Sequence, residues 1–237
     1  MNVSASLPTL GRDKLGSPGD PRSLARFVWL AYLAATLALA VAYGLAHAMG
    51  PAWLRSGLVF NLIGGSAVVA LIIGARRNSG GSRVPWYLFA VGVGLFVTSG
   101  VLSYNYERLF GTQQPFPSVA DQFHLAFYPF LVGGMLLLVR ERQEHRDRAP
   151  LIDSMIVTTA LATLVWVYLI APYAEKTGLP LLRRGASVAY PVMDILVLGV
   201  VARVAAGSHR REPAFLFVLA GAIMLLVTDV IYCTRLL

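Results

Sequence analysis

Cysteine, lysine and histidine are scarce in this chain, and each shortage excludes a class of chemistry. The single cysteine, Cys233, cannot form an internal disulfide and has no second cysteine at metal-ligand spacing. The only lysines, Lys14 and Lys176, lie outside the apolar stretches, so no membrane helix can hold a retinal Schiff base. The sequence also contains no Walker loop, H-E-x-x-H motif or G-x-S-x-G elbow. It therefore predicts no catalytic residue, no metal site and no cofactor.

Charged residues are also few, at 14% of the chain against 57% hydrophobic residues. The mean hydropathy is +0.65, and the apolar share exceeds the roughly 45–50% of soluble domains. Such a chain needs a lipid bilayer as its partner. The net charge is +8, but 18 of the 20 basic residues are arginines scattered at the ends of apolar stretches. This scatter indicates membrane topology rather than nucleic-acid binding.

The apolar stretches predict an all-α, polytopic membrane helix bundle, because a span needs about 20 apolar residues and helices satisfy their own backbone in lipid. Residues 1–26 lack apolar periodicity and are expected to form a disordered, basic cytoplasmic tail. Residues 27–237 form the membrane domain. We expect the first span to be a retained helix rather than a signal peptide. The seven predicted spans are 27–46, 57–75, 86–104, 123–139, 151–171, 186–206 and 213–237.

Arginine and lysine are distributed unequally between the two sides of this arrangement. The tail and the loops after spans two, four and six hold fourteen of them, and the opposite loops with the C-terminus hold six. By the positive-inside rule, the N-terminus is predicted to be cytoplasmic in the plasma membrane.

Two helices share a pattern, which indicates an internal hairpin repeat. Tyr128-Pro129 and Tyr190-Pro191 each lie in the first half of an apolar stretch that ends at arginine. A proline lacks the N–H of a helical residue, so Pro129 and Pro191 are expected to kink their helices. Packing alone is the competing explanation for both prolines.

Carboxylates in apolar stretches are the strongest functional signal, since a charge at the bilayer centre costs about 2.5–3.5 kcal/mol on insertion scales. Asp121 and Asp153 lie near helix starts and are expected to act as caps. Asp194 and Asp229 lie deeper and are expected to face the bundle interior. We expect these two to bond the nearest hydroxyl groups along their own helices, from Tyr190, Thr228 and Tyr232.

The ligand hypothesis is a small molecule bound at the outer face. His47 and His124 both lie at outer helix ends, and a haem or metal site formed by them is a weaker alternative. The candidate ligand-binding residues are Asp121, His124, Tyr128, Tyr190, Asp194, Asp229 and Tyr232.

The motifs together resemble a known family. They are Pro117-Ser118-x-Ala120-Asp121, Tyr128-Pro129, Asp153, Trp166 to Pro172, Ala189-Tyr190-Pro191-x-x-Asp194 and Val227-Thr228-Asp229-x-x-Tyr232. From about Phe27 onward the chain resembles the membrane-embedded N-terminal region of actinobacterial diguanylate cyclases, which carry GGDEF and often EAL domains. The resemblance implies a sensory input region. The sequence has neither a GGDEF motif nor a soluble output domain, so cyclase activity is not implied for it.

Three functions therefore remain from the sequence. The first is a sensory input module related to cyclic-di-GMP signalling, without catalytic activity of its own, and a homodimer is one assembly open to it. The second is a small transporter or channel, which would be expected to line a path through both leaflets. The third is a membrane-embedded enzyme. Because a cytoplasmic output domain needs an even number of spans, the sequence also predicts that this bundle is incomplete at its C-terminus.

Overall fold

The computed structural model describes residues 21–49, 57–77, 81–142, 149–171, 180–207 and 213–236. Within these ranges every regular element is a helix, as predicted. The helices are α1 (Pro21–Met49), α2 (Leu58–Arg77), α3 (Val84–Tyr104), α4 (Tyr106–Phe110), α5 (Val119–Arg142), α6 (Ala149–Val165, followed by a π-helical turn at Trp166–Ile170), α7 (Leu181–Gly207) and α8 (Pro213–Leu236).

Five of the described helices are long and apolar enough to cross a membrane: α1, α2, α3, α5 and α7. The apolar parts of α6 and α8, Ile152–Tyr168 and Leu216–Asp229, are shorter. All seven predicted spans coincide with helices, but the count of seven membrane crossings holds only if α6 and α8 also cross. In α6 the α-helical hydrogen bonding ends at Val165, where the π-helical turn begins.

Helix ends differ from the predicted span ends because polar residues extend the helices beyond the apolar stretches. α1 begins at Pro21, inside the predicted tail, and residues 1–20 lie outside the described part of the chain. α5 begins at Val119 rather than residue 123. α7 begins at Leu181 rather than residue 186. The short helix α4 was not predicted.

The chain divides into two compact units, Met1–Arg55 and Ser56–Leu237. The first unit contains α1, whose described side chains are exposed or half-exposed. Large apolar side chains such as Phe27, Leu37 and Leu45 are among the exposed ones. In a helix of this composition, exposed apolar side chains are those expected to contact lipid.

The second unit is a bundle in which α5 and α7 are central. α2 packs on α3, α3 on α5, α5 on α7, and α7 also packs on α6 and α8. The core is contributed by four of these helices, and it consists of Phe89, Phe127, Tyr128, Met135, Leu138, Val139, Val197, Val200, Val201 and Ala222. The buried face of α5 therefore carries both this core and the polar side chains described below.

Close approach of α3 and α5 depends on glycine. A Cβ atom added at Gly134 of α5 would lie 2.6 Å from Cε1 of Phe89 and 2.8 Å from its Cδ1. One added at Gly92 of α3 would lie 3.3 Å from Cβ of Phe130. Small residues at membrane helix interfaces let the backbones approach in this way. This contact fixes α5 against α3 on the side away from α7.

Candidate functional site

The loop before α5 ends in a capping box formed by Ser118 and Asp121. The backbone N–H of Ser118 donates to Asp121 Oδ2 at 2.6 Å, and the Ser118 hydroxyl donates to the same oxygen at 2.7 Å. Gln114 Nε2 donates to Ser118 Oγ at 3.0 Å and so attaches the loop to the helix start. The prediction that Asp121 caps its helix is confirmed, and the Ser-x-x-Asp spacing is the sequence signal for it.

Asp121 also connects α5 with α7. The Tyr190 hydroxyl donates to Asp121 Oδ1 at 2.6 Å. Asp121 thus accepts three hydrogen bonds, and three donors supply them: two from Ser118 and one from Tyr190. Because Ser118 and Tyr190 donate all three hydrogen bonds, Asp121 needs no proton to form them.

A second hydrogen-bonded group lies deeper and connects three helices. The Tyr128 hydroxyl of α5 lies 2.9 Å from Asp194 Oδ1 of α7 and 2.9 Å from Asp229 Oδ2 of α8. Because both contact the same phenol oxygen, the carboxyl groups of Asp194 and Asp229 are close neighbours. Tyr128 is fully buried, and Asp194 is only 6% exposed. We call Tyr128, Asp194 and Asp229 the triad.

The hydrogen bonds show how α5 and α7 are aligned. Asp121 pairs with Tyr190 and Tyr128 pairs with Asp194, so residue numbers rise together along both helices and the two helices run parallel. The repeat alone would place Tyr128 beside Tyr190. Instead each tyrosine lies opposite an aspartate of the other helix, which means that α7 is shifted toward the Asp121 end of the bundle.

His124 lies between the two hydrogen-bonded groups. Its ring centroid is 5.3 Å from that of Tyr190, 6.0 Å from that of Tyr128 and 5.2 Å from that of Phe96 on α3. Asp121 and Asp229 are both close enough to interact with it electrostatically. Its Nε2 atom is buried and has no hydrogen-bond partner among the described residues. The imidazole therefore lies between Asp121 and the triad without a hydrogen bond from Nε2 to any of these described residues. We call these six residues the polar cluster: Asp121, His124, Tyr128, Tyr190, Asp194 and Asp229.

The polar cluster contains three carboxyl groups and no basic side chain other than His124. Among the described residues, no arginine or lysine forms an ion pair with Asp121, Asp194 or Asp229, whose hydrogen-bond partners are hydroxyl groups and one backbone N–H. Two unit charges 4 Å apart repel by about 4 kcal/mol at an effective dielectric constant of 20. That repulsion exceeds the roughly 1 kcal/mol net gain of one hydrogen bond. Two ionised carboxylates in the triad would therefore not be held together by the phenol alone.

The polar cluster occupies one end of the bundle. Seven residues separate Asp121 from Tyr128, which corresponds to about 10 Å along the helix axis at 1.5 Å per residue. Toward the opposite end, the next buried side chains of α5 are Met135, Leu138 and Val139, and those of α7 are Val197, Val200 and Val201. Apolar side chains thus fill the interior of the bundle between the polar cluster and the Arg140 end of α5.

Six of the seven candidate ligand-binding residues come together in this cluster. Two of the three predicted hydrogen-bond partners of the deep acids donate elsewhere. Tyr190 donates to Asp121, and Thr228 donates to the Met224 carbonyl oxygen at 2.8 Å. The Tyr232 side chain lies outside the described residues, as does that of His47, so the proposed histidine pair is untested.

Two further expectations concern Asp153 and the prolines. Asp153 lies beyond the first turn of α6 and is exposed, so the prediction that it caps a helix was wrong. Pro129 and Pro191 both lie inside helices that continue past them. Pro129 is exposed. Pro191 is buried and directly follows Tyr190, a residue of the polar cluster.

Within the described part of the chain, no group of three His, Cys, Asp or Glu side chains is arranged to hold a metal ion.

Sequence reasoning missed the contributions of Ser118 and Phe96. Ser118 supplies two of the donors to Asp121, and Phe96 packs its ring against His124 from α3. The capping-box spacing could have identified Ser118, whereas nothing in the apolar sequence of α3 distinguishes Phe96.

The chain matches no family model, no curated protein and no solved structure.

Proposed function

We propose that this chain is a membrane-embedded sensory input module and that the polar cluster is where its signal acts. One observation carries the proposal: three acids, two tyrosines and a histidine converge at one end of a helix bundle whose other buried side chains are mainly apolar. Intramembrane ionisable residues are costly, which makes a functional role the default interpretation. Because the polar cluster joins α5, α7 and α8, a signal that acts on it would affect all three helices.

A transporter would need access to its site from both leaflets. The buried side chains between the triad and the Arg140 end of α5 are apolar, from Met135 to Val139 on one helix and from Val197 to Val201 on the other. They favour a site reached from one side. The further proposal that the module belongs to cyclic-di-GMP signalling is supported by the sequence motifs alone.

A reconstitution experiment separates these two functions. The full chain is placed in proteoliposomes with an internal pH dye, and an imposed proton gradient is followed. A sensory module should leave the gradient as stable as protein-free liposomes do. Gradient dissipation by the parent protein that is lost in Asp194→Asn would contradict the proposal and favour a proton-coupled transporter.

The proposed location is the plasma membrane with a cytoplasmic N-terminus, because basic residues are concentrated on that side. Cysteines introduced singly at Asn78 and Gln113 test this orientation, in a background with Cys233 replaced by serine. In intact cells an impermeant maleimide should label only the Gln113→Cys variant. Both variants should react after permeabilisation, which controls for accessibility. Labelling of Asn78→Cys alone in intact cells would reverse the orientation.

A further inference from the structure

The triad and the capping box differ in whether the number of donor protons matches the number of hydrogen-bond contacts. At Asp121, three contacts are matched by three donors. In the triad, the Tyr128 hydroxyl contacts both Asp194 and Asp229, which makes two contacts. A phenol has a single proton to donate, and an ionised carboxylate has none. The geometry of the triad is therefore consistent with an additional proton on one of the two carboxyl groups.

With that proton in place, the contacts can be satisfied in a consistent way. Tyr128 donates to one carboxylate, and the protonated acid donates either to that carboxylate or to the phenol oxygen. Without it, two negative charges would both lie against one phenol in a largely buried position. Carboxyl groups paired in this way share a proton for this reason.

The groups facing the triad provide a route for the proton from the Asp121 end. His124 is within electrostatic reach of both Asp121 and Asp229, and its ring packs against Tyr128 and Tyr190. Histidine is the side chain best suited to exchange a proton near neutral pH. Its buried Nε2, without a hydrogen-bond partner in the described structure, is free to take part.

No other charged group of the packed helices competes for this role among the described residues. α3 has no charged residue between Val84 and Tyr104 and presents Phe96 to His124. α6 carries one charged residue, Asp153, which is exposed. In α7, Arg183 and Arg184 are exposed near the helix start, and Arg203 lies nine residues after Asp194, about 13 Å along the helix axis. The charges that act on the triad are thus its own and those of Asp121 and His124.

We propose that the triad binds one exchangeable proton and that its release is the signal that the module detects. This inference rests on the proposed sensory function and names its ligand. A proton needs no cavity, which suits a site whose central side chain, Tyr128, is fully buried. Release of the proton would leave Asp194 and Asp229 mutually repulsive and so move α8 away from α7, because each acid comes from one of these helices.

Infrared spectroscopy of the full chain in nanodiscs tests the first half of this proposal. A protonated carboxyl group gives a C=O stretching band that a carboxylate lacks. The parent protein should show this band at neutral pH, and both Asp194→Asn and Asp229→Asn should lose it. Asp153→Asn, which removes an exposed carboxylate of α6 outside the polar cluster, is the matched control and should keep it. The idea is overturned if the parent lacks the band, or if the band survives in both triad variants.

Spin labels test the second half. Leu196 on α7 and Met224 on α8 are exposed positions for a label pair. The distance between the labels should change over the same pH range in which the infrared band disappears, and it should stay constant in Asp194→Asn. A band without any change of distance would show a structural proton and refute proton sensing. A missing band together with a distance that responds to another added solute would refute the proton while leaving the sensory function standing.

Discussion

Replacing Tyr128 with phenylalanine is expected to lower the free energy of unfolding by about 2–4 kcal/mol, since a buried acceptor left without its donor costs about 1–3 kcal/mol and Tyr128 serves two carboxyl groups. The ring is retained, so the packing against Phe127 and His124 should persist. Unfolding in mixed detergent micelles, followed by circular dichroism, measures the change.

Tyr190→Phe is the matched control for this change. It removes the same hydroxyl group from the other Tyr-Pro motif, but Asp121 keeps its two hydrogen bonds from Ser118. Single hydrogen bonds between membrane helices contribute about 0.6 kcal/mol on average, so the loss should be about 0.5–1 kcal/mol. Equal losses in the two variants would contradict the special position of Tyr128.

Gly134→Ala is expected to destabilise the bundle by about 1–3 kcal/mol, the usual cost of inserting a methyl group into a packed interior. The added Cβ would lie 2.6 Å from the ring of Phe89, which is itself buried and cannot swing aside. Relief requires α3 and α5 to separate. Because α5 carries three residues of the polar cluster, the spectroscopic signature of the triad should change as well.

The neighbouring glycine provides the control. At Gly133 an added Cβ would lie 3.7 Å from Leu88 Cδ1, which is ordinary contact. Gly133→Ala should therefore be neutral or slightly stabilising, since alanine favours a helix over glycine by about 1 kcal/mol. Detergent-induced unfolding of both variants provides the comparison. Similar stability of the two variants would show that α3 and α5 do not approach as closely as described.

Much of the fold could be predicted because the hydropathy of the chain directly reports its lipid environment. The seven apolar stretches coincide with helices, and deep carboxylates such as Asp194 indicated which helix faces are buried. Apolar residues could not do so, because those facing lipid and those facing the core are equally apolar. The shortening of α6 at its π-helical turn also leaves no trace in hydropathy.

The sequence identified most residues of the candidate site, but it did not predict which of them form hydrogen bonds with each other. Four residues separate Tyr190 from Asp194, which suggested that they bond along one helix face. Long side chains on a helix lean toward its N-terminus, so the Tyr190 hydroxyl reaches away from Asp194 and meets Asp121 of α5. The contact of Tyr128 with Asp194 depends on the shift between α5 and α7, which only tertiary packing determines.

One hydroxyl group, that of Tyr128, joins the acids of α7 and α8. A double-mutant cycle of Tyr128→Phe and Asp229→Ala measures this coupling directly. As a reference, Tyr128→Phe is combined with Thr163→Ala on α6, whose exposed hydroxyl bonds only to the carbonyl oxygen of Thr159 in its own helix.

The expected coupling between Tyr128 and Asp229 exceeds about 1 kcal/mol, because the phenol and the acid share a partly buried hydrogen bond, whereas independent sites add within about 0.5 kcal/mol. The reference pair should fall within that limit. Additive effects of Tyr128→Phe and Asp229→Ala, equal to those of the reference pair, would contradict the triad and with it the proposed site.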